Sequence, residues 1–123
     1  NEVYFYLRGR NVYFLNGGIN MKDDPVIVKT AELIKENCSE IVKIYLISYK
    51  VDNGGEVTSF KLALILRDEA ENLPELECRL YLNVDCELPF DMVIYRRSEF
   101  DKLKSEIGTF AWKINNSGAV LYE

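Results

Sequence analysis

Residues 41–49 read IVKIYLISY and residues 60–66 read FKLALIL, and these two apolar runs decide the fold. The first run is rich in β-branched and aromatic residues, and the turn sequence Asp-Asn-Gly-Gly at residues 52–55 follows it. This pattern predicts two strands. The second run is apolar on both faces except at Lys61, which is typical of a central strand that is covered on both sides.

Regular alternation along the first strand predicts which side chains share a face. It places Ser48 on the face of Leu46, and it places Tyr49 on the opposite face, with Ile47.

The sequence on either side of these strands predicts helices and further strands. Asp24 followed by Pro25 indicates a helix start, because Asp caps free N–H groups and proline lacks the N–H that would be unpaired there. Apolar spacing extends this helix to about Asn37. Ser98 and Asp101 predict the capped start of a later helix. The remaining predicted elements are an acidic loop at 67–75, a strand at 77–84, a strand at 90–95, helices at 98–106 and 109–116, and a strand at 119–122.

The first twenty residues predict a β-hairpin. Residues 3–7 read VYFYL and residues 12–15 read VYFL, with the turn sequence RGRN between them. We therefore divide the chain into a hairpin extension at 1–20 and a domain at 21–123. The aromatic density of the hairpin would suit base stacking, but it lacks the surrounding positive charge that such a site needs.

Composition excludes several classes of function. The chain has 123 residues, which is enough for one domain. Its 20 acidic and 15 basic residues give a formal net charge of −5, and there is no histidine. We therefore expect no broad nucleic-acid interface, because such interfaces need clustered positive charge. Histidine bases, imidazole metal ligands and Ser-His or Cys-His nucleophiles are excluded. No apolar run reaches the ~20 residues that span a bilayer, so we expect no membrane association.

The cysteines predict a reducing compartment. Cys38, Cys78 and Cys86 are odd in number and form no Cys-x-x-Cys motif, and we see no secretory leader. We therefore expect a cytoplasmic protein without disulfides or structural zinc, in which the cysteines act as small buried apolar residues.

From about residue 26 onward, the element order and local sequence resemble the minimal nucleotidyltransferases of the polymerase-β type. The segments that carry the resemblance are IYLI at 44–47, FKLALI at 60–65, DMVIY at 91–95, SEF at 98–100, IGTFAWKI at 107–114 and GAVLYE at 118–123. The resemblance implies an α/β (α+β) fold, with a mixed sheet and helices mainly on one face. In that family, a first strand ends in Leu-Phe-Gly-Ser, a second carries Asp-hydrophobic-Asp, and a later strand supplies a third Asp.

The family's chemistry depends on those aspartates. Nucleotidyl transfer uses magnesium to bridge the triphosphate, and magnesium prefers carboxylate oxygens. The resemblance aligns Ser48 and Tyr49 with the Gly-Ser pair, Ser59 and Lys61 with the first two aspartates, and Asp91 with the third. Only Asp91 keeps a metal ligand.

Lys61 is the decisive departure from the family. An ammonium beside a metal ion is repelled, by about 4 kcal/mol for unit charges at ~4 Å and an effective dielectric of 20. We expect Lys61 to form an ion pair with Asp91 instead, or to be a solvated lysine that faces an edge, which also leaves no metal site. Tyr49 would crowd the phosphate path where the family needs a turn with almost no side chain, or it is an ordinary aromatic residue at a strand end.

We therefore predict a catalytically degenerate nucleotidyltransferase-like domain without a cofactor, acting as a protein-interaction or regulatory module and not as an enzyme. One alternative is an active, magnesium-dependent nucleotidyltransferase with an atypical site, for example from Asp85 and Asp91, that uses a nucleoside triphosphate. Another is metal-independent nucleotide sensing through Lys61 and Arg96 or Arg97.

The resemblance also makes a protein partner plausible, because members of that family often pair with a small helical protein, some of them as toxin–antitoxin modules. We expect either such a partner or a homo-oligomer. The expected contact residues are Val3, Tyr4, Phe5, Tyr6, Tyr13 and Phe14.

Overall fold

The computed structural model describes the backbone of residues 3–7, 10–14 and 21–123, and the side chains of residues 21–123. A 3-10 turn at Met21–Asp23 precedes the first helix. The elements in chain order are β1 (Val3–Leu7), β2 (Arg10–Phe14), α1 (Pro25–Asn37), β3 (Ile41–Val51), β4 (Val57–Leu66), α2 (Leu73–Asn83), β5 (Phe90–Arg96), α3 (Arg97–Leu103), α4 (Phe110–Ser117) and β6 (Ala119–Tyr122). Within the described residues, no helix is both long and apolar enough to cross a bilayer.

The strands form one mixed sheet in the order β1-β2-β3-β4-β5. All neighbouring pairs are antiparallel except β4 and β5, which are parallel. The strand β6 pairs with residues 44–46 of β3, and β2 pairs with residues 48–50, so both use the same edge of β3. The predicted N-terminal hairpin therefore continues the sheet of the domain. Its turn at residues 8–9, and residues 1–2 and 15–20, lie outside the described part of the chain.

Helices pack on both faces of this sheet, which confirms the α/β class. On the α1–α2 face, the residues that are 0% exposed are Ile27, Ile34, Ile44, Leu46, Leu62, Leu64, Leu66 and Leu80. On the α3–α4 face, the core consists of Tyr45, Ile47, Ala63, Ile65, Phe100, Ala111 and Ile114. We expected the helices mainly on one face. The two longer helices do share one face, and the two shorter ones cover part of the other.

The segment predicted as a strand at 77–84 belongs to the helix α2 instead. Its local alternation suggested a strand, but Leu76 and Leu80 are four positions apart and both face the core. The helix also has a start signal upstream, because the Asn72 side chain accepts a hydrogen bond from the Glu75 N–H at 3.2 Å.

Of the two predicted helix caps, the structure confirms the one at α1 and not the one at α3. Asp24 caps α1 as expected, accepting hydrogen bonds from two backbone N–H groups. The helix α3 is not capped by Ser98, because it begins one residue earlier, at Arg97. Instead, the Ser98 N–H donates to the Asp68 carboxylate at 2.9 Å. This hydrogen bond is the main reason why the pKa of Asp68 is lowered.

Candidate functional site

Three of the residues predicted for the site lie in register on neighbouring strands. Ser48 on β3 pairs with Lys61 on β4, and Lys61 pairs with Asp91 on β5. Paired residues on adjacent strands point to the same face of a sheet. The Lys61 Nζ lies 5.6 Å from the ring centre of Phe110 on α4, which identifies this as the α3–α4 face. We call Ser48, Lys61 and Asp91 the cross-strand row.

Ser59 lies next to this row. It is two residues before Lys61 on the same strand and therefore faces the same side. Ser59 pairs with Lys50, while Ser48 pairs with Lys61, so each serine is opposite a lysine. All four residues are half-buried. We call Ser48, Lys50, Ser59 and Lys61 the Ser–Lys quartet.

Lys50 was missed as a site residue by the sequence analysis. The available signal was its spacing of two residues from Ser48, which puts both side chains on one face of a strand. Its position opposite Ser59 depends on the strand register, which the sequence does not state.

Tyr49 lies on the opposite face from the row. Its side chain is 1% exposed and packs in the α1–α2 core with Leu46. The register of β3 against β4 shifts by one residue between Leu46 and Ser48. Such a bulge reverses the alternation beyond it, so the predicted faces of Ser48 and Tyr49 are wrong. Tyr49 is thus a core aromatic residue and does not crowd the row.

The predicted ion pair between Lys61 and Asp91 does not form. Ion pairs do form at Lys43–Glu123, at 3.5 Å, and at Lys104–Asp101, at 3.1 Å, and neither involves Lys61 or Asp91. Asp91 is exposed to water, where an ion pair adds only about 0–1 kcal/mol. The Lys61 ammonium lies over the Phe110 ring instead, a contact of comparable strength.

The donor set of the row does not fit a magnesium site of the family's kind. It offers one carboxylate, from Asp91, beside an ammonium, whereas magnesium takes several hard oxygen ligands. Asp85 does not add a second carboxylate to the row, because it lines a separate hollow of about 270 Å³ next to the start of α1. Within residues 21–123, no cluster of three or more acidic or cysteine side chains could hold a metal ion.

The two arginines considered for nucleotide sensing lie far from Lys61. Arg96 pairs with Leu66, five positions further along β4. At about 3.3 Å per residue, this is roughly 16 Å from Lys61. The Arg96 side chain also donates to the Ala70 carbonyl at 3.0 Å, and Arg97 follows at the start of α3. Neither arginine can share one phosphate group with Lys61.

The comparisons with known proteins find no match. No family model, no curated protein and no solved structure matches the chain. The nucleotidyltransferase resemblance therefore stays a prediction.

The cysteines lie away from the row and differ in exposure. Cys38 is buried, Cys86 is half-buried and Cys78 is exposed on α2, so the expectation of three buried cysteines is wrong for Cys78. Its segment is helical rather than extended, which turns Cys78 away from the core. Burial raises the pKa of the Cys38 thiol, and Cys86 accepts a hydrogen bond from the Thr30 hydroxyl at 3.2 Å.

Proposed function

We propose that this chain is a nucleotidyltransferase-like domain without magnesium-dependent nucleotidyl transfer, and that it acts by binding another protein chain. One observation carries the first half of this proposal. In the cross-strand row, the Lys61 ammonium stands between Ser48 and Asp91, where the family's chemistry needs carboxylates.

The strand order and register support the alignment with the family. The elements α1, β3, β4 and β5 follow each other in the order that the resemblance implies, with helix α2 between β4 and β5, where the sequence predicted a strand at 77–84. The family's third aspartate must lie beside the pair on the second strand, because all three serve the same metal site. Asp91 pairs directly with Lys61, which satisfies this requirement.

The terminal strand β1 supports the second half of the proposal. It ends the described sheet, pairing with β2 along one edge. Its sequence VYFYL contains no charged residue and no proline, which are the usual features that prevent an edge strand from pairing with other chains. An incoming strand would satisfy the backbone groups of the other edge. We propose a second copy of this chain as the first partner to test.

A transfer assay tests the loss of catalysis. The purified chain is incubated with labelled ATP and Mg²⁺ or Mn²⁺, alone and with candidate protein and nucleic-acid acceptors. We expect no label transfer above that of the heat-denatured chain. Asp91→Asn and Asp85→Asn serve as a matched pair of carboxylate variants. Transfer that is lost in Asp91→Asn and retained in Asp85→Asn would refute the proposal.

Light scattering over a concentration series tests the partner. We expect a mass above the 14.3 kDa of one chain. Tyr4→Lys places a charge on β1 and is expected to restore the single-chain mass, whereas Val120→Lys on β6 leaves the assembly intact. A single-chain mass for the unmodified protein at every concentration would contradict self-association through β1.

A further inference from the structure

We infer that the Ser–Lys quartet binds a phosphate group without a metal ion. This inference rests on the proposed function, in which the cross-strand row does not hold magnesium. It adds a ligand class, the phosphate-type oxyanion, and a residue, Lys50, to the same face of the sheet.

The geometry of the quartet suits a small anion. Residues 48–50 pair regularly with residues 59–61, and register shifts lie on either side of this block. Opposed side chains in such a block start about 5 Å apart, and successive rows on one face are roughly 7 Å apart. The four side chains therefore surround a patch about the size of one phosphate group.

The polar groups of the quartet are all able to donate hydrogen bonds. Its two ammonium groups are pure donors, its two hydroxyl groups can donate, and phosphate oxygens accept. Among the described residues, none of these four side chains makes a hydrogen bond or an ion pair. Among the described side chains, the Lys61 ammonium contacts the Phe110 ring and makes no hydrogen bond.

The charge pattern also favours an anion at this place. The chain has a net charge of −5, yet Lys50 and Lys61 lie on diagonal corners of the quartet. An anion between them would offset their mutual repulsion. Asp91 lies on the far side of Lys61, away from Lys50. Its carboxylate repels an anion, so we place the phosphate on the Lys50 side of Lys61.

Substitution of Asp91 distinguishes metal-free phosphate binding from metal binding, because it changes the affinity in opposite directions in the two cases. Asp91→Asn removes a negative charge close to the proposed anion, so it should tighten metal-free phosphate binding. If Asp91 instead held a metal bound to a nucleotide, the same substitution would weaken binding. The two explanations therefore predict opposite changes in affinity.

Calorimetric titration in EDTA tests the inference, with inorganic phosphate, pyrophosphate and ATP as separate probes. We expect binding of at least one probe, weakened about tenfold or more by Lys50→Gln and by Lys61→Gln, and weakened by added salt. Lys102→Gln on α3 is the matched control and should bind like the unmodified chain. The ranking of the three probes distinguishes a free phosphate ligand from a nucleotide. Circular dichroism checks that each variant is folded.

Three results would overturn the inference. The first is no binding of any probe up to millimolar concentration, with or without Mg²⁺, which leaves the proposed loss of catalysis intact. The second is an equal loss of affinity in Lys102→Gln and Lys61→Gln, because binding would then be a general charge effect. The third is binding that requires Mg²⁺ and is lost in Asp91→Asn, which would refute the proposed function as well.

Discussion

The hydrogen bond between Tyr81 and β5 gives a direct test of how the cross-strand row is positioned. The Met92 backbone N–H donates to the Tyr81 hydroxyl oxygen at 2.8 Å, and Met92 directly follows Asp91. In the described sheet β5 is a terminal strand, so no neighbouring strand accepts this N–H. Tyr81→Phe removes the acceptor and keeps the ring, which contacts Phe90 with centroids 5.4 Å apart.

The expected loss of stability is about 1 kcal/mol. A hydrogen bond of this kind contributes roughly 0.5–1.5 kcal/mol, and a buried donor left without a partner costs about 1–3 kcal/mol. Met92 is 5% exposed, but Tyr81 is 40% exposed. Water can therefore approach the freed N–H, which favours the lower range. For a domain of this size, the loss corresponds to a fall in Tm of roughly 4 °C.

Urea unfolding, followed by the fluorescence of Trp112, measures this change. We expect a lower midpoint at an unchanged slope, since the surface exposed on unfolding is the same. Tyr95→Phe is the control, because the Tyr95 ring contacts Phe100 and its hydroxyl makes no hydrogen bond among the described residues. Its effect should stay within about 0.5 kcal/mol. Equal effects of the two substitutions, with unchanged hydrogen-exchange protection of the Met92 amide, would refute the reasoning.

Three further predictions concern the scaffold and its titration. Gly118→Ala should lower the free energy of unfolding by about 1–3 kcal/mol in urea, because a Cβ there would lie 2.6 Å from the Ile114 carbonyl oxygen and 3.1 Å from the Tyr45 ring. Asp24→Ala should lower it by about 1 kcal/mol in the same assay, since it removes two capping hydrogen bonds. Burial raises the pKa of Tyr81. The stability that Tyr81 contributes is therefore complete below the pKa of about 10 in the unfolded chain, and it is lost as the pH rises through the higher pKa of the folded chain. Absorbance titration of the unmodified chain against Tyr81→Phe measures this folded pKa.

The elements with strong local signals could be predicted from the sequence. The helix α1 has an Asp-Pro start and regular apolar spacing, and α4 is capped by Thr109, whose hydroxyl accepts a hydrogen bond from the Trp112 N–H. The strands β3 and β4 are long apolar runs. The helix α2 was missed because residues 77–84 alternate as a strand would, while its core contacts at Leu76 and Leu80 depend on packing against α1 and the sheet.

The details of the candidate site could be predicted only in part. The family resemblance predicts that Lys61 and Asp91 lie side by side on neighbouring strands, and these two residues do pair in the register of β4 and β5. The bulge after Leu46 has no clear sequence signal, and it alone decides that Ser48, rather than Tyr49, faces the row. The expected ion pair failed because an exposed carboxylate gains little from pairing in water.

The two terminal strands of the sheet differ in a way that bears on the partner. On β5, the Met92 N–H that points away from β4 donates a hydrogen bond to the Tyr81 hydroxyl. The same strand contains the charged residues Asp91 and Arg96, and charges and covered edges both discourage pairing with another chain. The strand β1 has neither charge nor proline in its sequence. If the chain associates through its sheet, β1 is therefore the edge that an added strand meets, and association should survive Tyr81→Phe while Tyr4→Lys abolishes it.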